Sequence, residues 1–312
     1  MTLWWAWVGR DPRPGSIVPA WRPPEGVPPG AAGALVDQRA GPADILATLL
    51  DLASRGYLTI REVHPSGVPA EGDEAVRVAR SILQNVGLWT TEWEFRRTSR
   101  PTDDLAPFEG AIVHALLGAE RSVTMSGVAP SFRELLPGLY RSLYLEMVER
   151  GWFRHSPHAT RREWVILGGV TAAIGAAAIV WAGRIDLGLG LVLSGAIVLA
   201  FSPAMPVVTR EGARARDQLL GLAEYVRRAE RAEVEARHQG ERAPGHFEEV
   251  LPYAIALGVV DLWLEEFAGL TEGPGWYLVE GAPEPTSFTV SLDLFWNAAI
   301  DAFGTGERAR TD

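Results

Sequence analysis

Residues 164–183 read WVILGGVTAAIGAAAIVWAG, and residues 187–209 read LGLGLVLSGAIVLAFSPAMPVVT. The first run holds twenty residues without a charge and the second twenty-three, with only Arg184, Ile185 and Asp186 between them. Crossing a hydrocarbon core of about 30 Å takes about 20 residues of apolar helix. Uncharged runs of this length are rare in the buried helices of soluble domains. The pair therefore predicts a two-helix transmembrane hairpin over 164–208. With three residues for the turn, its helices must be antiparallel neighbours.

The two spans differ in strength. Gly168, Gly169, Gly175 and the alanine runs 172–173 and 176–178 give the first little transfer energy, whereas the second is rich in Leu, Ile and Val. Small residues at four-residue spacing, Gly168/Ala172/Ala176 and Gly190/Ser194, allow close packing in lipid. Insertion as a pair lets the stronger span carry the weaker. Arg154, Arg161 and Arg162 precede the first run and Arg210, Arg214 and Arg216 follow the second, so the positive-inside bias predicts both termini on the cytoplasmic side. Trp164 and Trp181 fall where aromatic belts are expected. No ionisable residue lies inside either run, which reads as an anchor and not as an ion or proton path.

Composition narrows the function classes. The 312 residues carry a net charge of −10, a poor match to a polyanion such as nucleic acid. All 29 basic residues are Arg, a bias that reads as genome base composition. Cysteine is absent, which removes disulfides, thiolate metal sites and cysteine nucleophiles together. The start, Leu3-Trp4-Trp5-Ala6-Trp7-Val8 before Arg10, lacks the features of a signal peptide and reads as an interfacial anchor or the stub of a membrane helix.

The expected fold class is mainly α with a small β component (α+β). Five segments are predicted. Residues 1–42, rich in Pro and Gly, form an N-terminal linker or membrane-helix stub. Residues 43–100 form a first winged-helix-like unit: a helix over Ala43–Ser54, a stop at Arg55-Gly56, a strand from Tyr57 to Ile60, and a wing partner at Trp89–Arg97. Residues 101–163 form a second such unit, with helices at Pro107–Leu117 and Ser131–Leu139, a strand at Ser122–Thr124, and an apolar stripe Leu143, Tyr144, Met147, Val148. There Arg150-Gly151-Trp152-Phe153 repeats the ending Arg55-Gly56-Tyr57-Leu58. Residues 164–208 are the hairpin. Residues 209–312 form a cytoplasmic helical C-terminal lobe, with an amphipathic helix at Arg214–Arg237, a buried helix at Val250–Leu264 and a frayed end after Gly304.

Several stretches together resemble a known family. Pro23-Pro24-Glu25-Gly26, followed by Ala47 to Ile60 (ATLLDLASRGYLTI), resembles the cytoplasmic region of the YciQ-like predicted membrane proteins, a bacterial family of unknown function. Trp7–Pro12, Thr209-Arg210-Glu211-Gly212, and Leu251–Gly258 with Trp263 agree with it in the same order. The resemblance implies a membrane location with a cytoplasmic C-terminal region, and it implies no catalytic residue; with the hairpin, the expected location is the bacterial plasma membrane, multi-pass. Family members carry a signal peptide, an extracytoplasmic β-rich domain and a membrane helix ahead of this region. Three readings of the start remain open: a truncated chain, a short family member, or a misassigned start.

Candidate chemistry is sparse. His155 and His158 lie among Arg154, Arg161 and Arg162, which would repel a cation; His238 and His246 flank a polar loop with Glu241, Glu248 and Glu249 at no recognisable zinc spacing. Gly188-Leu189-Gly190 lacks a preceding strand and reads as helix packing. Asp103-Asp104 reads as a helix-start signal. No catalytic, cofactor or metal residue is assigned, and the chain is expected not to be an enzyme. DNA binding would use Arg96, Arg97 and Arg100 on a wing, but the helix 43–54 carries Asp44 and Asp51 and no base. The expectation is a membrane-anchored interaction or structural module whose partners are the lipid bilayer and a protein, with nucleic acid and small molecules not expected. The alternatives are a membrane-tethered winged-helix transcription regulator and a membrane enzyme.

Overall fold

The computed structural model describes residues 15–63, 91–202, 207–229, 244–267, 273–279 and 288–304. They divide into two compact units. Of the described residues, one holds those within Ile17–Val36, within Ala40–Leu143 and from Gln218 onward; the other holds Gly15, Ser16, Asp37–Arg39 and those within Tyr144–Asp217. The fold is mainly helical with a small four-stranded sheet, so α+β.

In the first unit the earliest element departs from the sequence reading. Part of the stretch taken as an extended linker is a helix, α1 (Pro29–Val36), buried from Pro29 to Leu35. Its glycines explain the difference. A Cβ at Gly30 would meet the Thr48 hydroxyl, and one at Gly33 would meet the Asp44 carboxylate and the Ala256 carbonyl. The Gly content marks close helix packing and not extension. Helix α2 (Pro42–Ser54) starts on Pro42 as expected and is central: none of its residues is exposed. Strand β1 (Leu58–Val63) pairs antiparallel with β2 (Glu92–Arg97), and Leu58, Ile60, Trp93 and Phe95 alternate inward at the strand period. Residues 89–90 of the expected wing lie outside the described residues.

Helix α3 (Pro107–Leu117) and strand β3 (Ser122–Thr124) fall where the sequence placed them. Strand β3, assigned from sequence to the second winged unit, pairs with β2, so the stretches 43–100 and 101–163 contribute to one sheet. The helix expected at Ser131–Leu139 and the stripe after it are one helix, α4 (Met125–Glu149), running through Pro130 and Pro137. A continuous buried stripe, Phe132, Leu136, Leu139, Leu143 and Met147, holds it despite the donors that proline removes.

The second unit contains α5 (Pro157–Ala182) and α6 (Ile185–Phe201), joined at Gly183, whose φ of +61° favours glycine. A Cβ at Gly168 would meet the Gly195 carbonyl and Leu199, and one at Gly175 would meet the Gly188 carbonyl and the Val192 amide. The close pairs Gly168/Gly195 and Gly175/Gly188 run in opposite chain directions, so the helices pack antiparallel. Gly168 and Ala172 both stand at the contact as expected, since a Cβ at Gly195 would meet the Gly168 carbonyl and the Ala172 amide. The close glycines then recur seven residues on, at Gly175, whereas Ala176 is exposed. Gly190 and Ser194, expected at the contact, are exposed, and a Cβ at Gly190 meets nothing. The helix in the second run ends at Phe201, short of Thr209, because proline recurs at 203 and 206.

Helix α7 (Arg210–Ala229) covers the described part of the expected amphipathic helix; residues 230–237 lie outside the described residues. Its apolar side chains Leu219, Leu222, Ala223 and Val226 are buried. The single helix expected at Val250–Leu264 is two, α8 (Pro244–Ala256) and α9 (Val260–Glu266), broken at Gly258 with φ +66°. Strand β4 (Tyr277–Val279) joins the sheet parallel to β1, giving the order β3-β2-β1-β4. Helix α10 (Phe288–Phe303) closes the core: Phe295 meets Trp93 and Phe95 at ring distances of 5.9 and 6.1 Å, and Phe303 meets Phe132 at 4.8 Å.

Candidate functional site: two matching Arg-Gly corners

The four-residue repeat noticed in the sequence is a repeat of backbone and of side-chain bonds. At the end of α2 the Gly56 N–H donates to Ala53 O at 2.9 Å and the Tyr57 N–H to Leu52 O at 2.9 Å. At the end of α4 the Gly151 N–H donates to Val148 O at 2.9 Å and the Trp152 N–H to Met147 O at 3.0 Å. Both glycines have positive φ, +82° and +75°. This is the paired helix stop that satisfies the last carbonyls, and glycine is what allows it.

The side chains match as well. Arg55 pairs with Asp51 four residues back at 2.9 Å, and Arg150 pairs with Glu146 four residues back at 2.7 Å. The Arg55 guanidinium lies 5.3 Å from the Tyr57 ring centre, and that of Arg150 lies 5.5 Å from Trp152. A distant threonine then closes each corner. The Thr98 N–H donates to Tyr57 O (3.1 Å) and its hydroxyl to Gly56 O (2.7 Å). The Thr209 N–H donates to Trp152 O (2.9 Å) and its hydroxyl to Gly151 O (2.6 Å). Phe153 and Val208 add a further bridge.

The corners differ in what lies between glycine and threonine. In the first, the chain runs out along β1 and back along β2. In the second it runs through α5 and α6. The helix pair thus occupies the place of a strand pair, with its entry and exit fastened together at Gly151–Phe153 and Val208–Thr209. The closing threonines are what sequence reasoning missed. Their signal was available in Thr98 and Thr209, each in the right order behind its Arg-Gly turn.

The first corner carries an ionic cluster. Arg55 also reaches Glu109 at 2.6 Å, and Glu109 accepts the Ala106 N–H at the start of α3. Arg100 donates to the Arg55 carbonyl, lies 4.3 Å from the Tyr57 ring centre and pairs with Asp104 at 3.5 Å. The Tyr57 hydroxyl donates to Asp104 at 2.6 Å, which holds that carboxylate below its usual range. Burial, aided by the Glu109 charge and opposed by Arg55, pushes the Asp51 carboxyl up to about 6.

The residues weighed in the sequence are dispersed. His155 and His158 are exposed, and His158 stacks near Tyr144 at 6.5 Å. His246 is buried among Trp21, Tyr225 and Trp263; His238 and Glu241 lie outside the described residues. Glu248 accepts the Trp276 indole N–H at 2.8 Å. Gly188 packs on Gly175 and Ile179. Among the described residues no group of three His, Asp or Glu side chains could hold a metal ion. The wing arginines are engaged within the fold: Arg96 with Glu94 at 3.4 Å, Arg97 with Gly118 O at 3.1 Å, and Arg100 as above.

Among the described residues one helix, α5, is long and apolar enough to cross a membrane by length and composition; α6 is apolar but shorter. Large apolar side chains line both without cover, among them Val180 at 74% and Trp181 at 85% exposure. A chain with these features is of the membrane-protein class. Residues 18–267 match the model of a family described as predicted membrane protein (DUF2207), C-terminal domain, and the chain belongs to that family. No curated protein and no solved structure gives a match.

Proposed function

We propose that the chain is a membrane-anchored structural and interaction module, in which α5 and α6 form a transmembrane hairpin and both flanks lie in the cytoplasm. The observation that carries this reading is the uncovered apolar surface of the two helices, from Val165 to Phe201. Burying such a surface in lipid removes it from water at about 25 cal/mol per Å². Helix α6 has 17 residues, about 26 Å of rise, which lies at the short end of what spans a bilayer. Glycine-to-glycine packing against α5 supports its insertion as a pair.

The two Arg-Gly corners support the tandem winged-helix-like reading, with the hairpin standing where the second wing would be. They favour a scaffold over a nucleic-acid reader. Helix α2 lies in the place of a recognition helix and has no exposed face, and Arg97 and Arg100 are already bonded within the fold. Two carboxylates are used in structure: Asp44 accepts the Gly41 N–H and Glu109 the Ala106 N–H, each at a helix start. The apolar stripe of α7 is buried in its own protein, so partner contact falls to the sheet edges and to exposed side chains such as Leu278 and Val279 on β4.

The natural absence of cysteine makes topology measurable. Single cysteines placed at Asp186, Thr102 and Arg227 are labelled in intact cells with a membrane-impermeant maleimide. Labelling at 186 alone, with 102 and 227 reacting only after permeabilisation, supports the hairpin and its orientation. Equal labelling of all three in intact cells removes it. Crosslinking in native membranes, against an unrelated membrane protein as control, tests for a protein partner.

A further inference from the structure

Between Trp164 and Phe201 the chain carries two charges, Arg184 and Asp186, and the packing of α5 on α6 fixes the level at which they lie. The glycine contacts set the register: Gly195 lies against Gly168 and Gly188 against Gly175, with the chains running oppositely. Two residues toward the tip on each helix, Asp186 comes level with Ala177. That is five residues short of Ala182, the last of α5, or about 7.5 Å of helix rise. The turn is bonded in this position. Past Gly183 the Arg184 N–H donates to Ala178 O at 3.1 Å, and the Gly188 N–H donates to Arg184 O at 2.9 Å. The Arg184 and Asp186 side chains lie 3.5 Å apart and are 60% and 80% exposed, so the pair faces outward.

At the other end the same register brings Phe201, the last residue of α6, level with Arg162, next to Glu163. The uncharged face of α6 from Leu187 to Phe201 therefore rises about 21 Å, and α5 from Glu163 to Ala177 rises the same. A hydrocarbon core of about 30 Å is thicker than this. With the base held at Glu163, it would take the Asp186 carboxylate several ångströms below its far surface. Aspartate is too short to reach back to the headgroups as an arginine can, and tilting only shortens the span. Val180 and Trp181, both exposed, stand beyond the level of Asp186, where an aromatic side chain suits the interface.

We propose that the hairpin thins the bilayer around it and gathers lipids with short acyl chains. A span shorter than the hydrocarbon is accommodated by local thinning, at a cost that grows with each ångström of mismatch, so short-chain lipids are its favoured neighbours. The Arg184–Asp186 pair sets the thickness at one face and Arg162–Glu163 at the other. The inference rests on reading α5 and α6 as a membrane-spanning pair.

The test reconstitutes the full chain in phosphatidylcholine vesicles containing a brominated lipid, which quenches tryptophan fluorescence on contact. Dimyristoleoyl, dioleoyl and dierucoyl phosphatidylcholine, in order of chain length, then compete with it. The signal followed is the quenching that Trp181→Phe loses. The shortest lipid displaces the quencher about fivefold better than the longest. Arg184→Leu/Asp186→Leu lengthens the uncharged face of α6 by about one turn and moves the preference to the dioleoyl lipid. Asp186→Asn alone lessens the short-chain preference and decides the matter if the double variant fails to fold. Glu224→Gln on α7 leaves it unchanged. A natural protein that favours longer chains or shows no preference overturns the inference, as does an Asp186→Asn variant that keeps the preference in full or an equal loss in the α7 variant. Alkaline carbonate extraction separates the two readings. A chain released from the vesicles refutes the span itself, whereas a retained chain without a short-chain preference refutes only this inference.

Discussion

The Asp44 carboxylate accepts the backbone N–H of Ala34 at 3.1 Å, tying the interior of α1 to the first turn of α2. Its other oxygen accepts the Gly41 N–H at 2.8 Å, so one buried side chain caps its own helix and clamps the neighbouring one. Both bonds need an acceptor. Asp44→Ala is expected to cost about 2–4 kcal/mol, since it strips one buried and one partly buried N–H group of their partner. Asp44→Asn keeps one acceptor and turns a donor toward the other N–H, so it rescues only in part. Thermal unfolding of the full chain in detergent checks this; an asparagine variant as stable as the natural protein would refute the double clamp.

Gly33 stands on the same helix contact. A side chain there meets the Asp44 carboxylate and the Ala256 carbonyl, two groups fixed in helices. Gly33→Ala is expected to cost about 1–3 kcal/mol by overpacking. Gly41→Ala meets no atom and serves as the control. Equal unfolding temperatures for the two variants would show that α1 can shift freely.

Asp51 gives the fold a pH dependence of known sign. Its carboxyl is raised to about 6 in the native state, so the folded chain holds that proton more tightly than the unfolded chain does. The contribution to stability is therefore complete below about pH 4 and lost as pH rises through 6. A shift of about 2 units corresponds to about 3 kcal/mol, an upper figure for a group in partial contact with water. Asp51→Asn cannot ionise and keeps an acceptor for Arg55. Relative to that variant, the natural protein is expected to lose about 2–3 kcal/mol of stability between pH 4 and pH 7.5. Parallel pH profiles from chemical denaturation would contradict it.

The two corners make an internal comparison possible. Thr209 donates to Gly151 O and accepts the Gly212 N–H at 3.0 Å, while Thr98 donates to Gly56 O and accepts the Arg100 N–H at 3.2 Å. Valine keeps the shape and removes both bonds. Thr98→Val and Thr209→Val are each expected to cost about 1–2 kcal/mol, with serine restoring most of it. Hydrogen exchange should then rise at Tyr57–Leu58 in the first variant and at Trp152–Phe153 in the second. Unchanged exchange at the corner glycine's neighbours would mean that the threonines are not what closes it.

How much of this was legible follows from the kind of signal each element carries. Helix α3 and strand β3 were readable because Pro107 and the turn residues before Ser122 mark their ends locally. Helix α1 was hidden, because PGAAGALV is unfavourable as an isolated helix and forms only against Thr48, Asp44 and α8. Helix α4 was split at its prolines because a local rule breaks a helix that a buried stripe keeps whole. The corners were half legible. Arg-Gly-aromatic is a local pattern, but the threonine that completes it lies 42 residues from Gly56 and 58 from Gly151. No local reading spans that distance.

The spacing of glycines in α5 and α6 decides between two packing modes, and substitution can tell them apart. The four-residue pattern in the sequence places Gly168, Ala172 and Ala176 of α5 and Gly190 and Ser194 of α6 at the contact. Gly168 and Ala172 are there, but on α6 the helices meet at Gly188 and Gly195, with Gly175 opposite Gly188. A seven-residue repeat keeps one seam facing its partner along the whole length, as in left-handed helix pairs. A Cβ at Gly175 would lie 2.7 Å from both the Gly188 carbonyl and the Val192 amide, and backbone cannot rotate away as a flexible side chain can. Gly175→Val is therefore expected to destabilise the pair by about 1–3 kcal/mol and lower the amount of protein retained in membranes. Gly190→Val, with open space around it, should change stability by less than about 0.5 kcal/mol. The reverse result, a tolerant Gly175 and a sensitive Gly190, would show that the four-residue face is the one that packs.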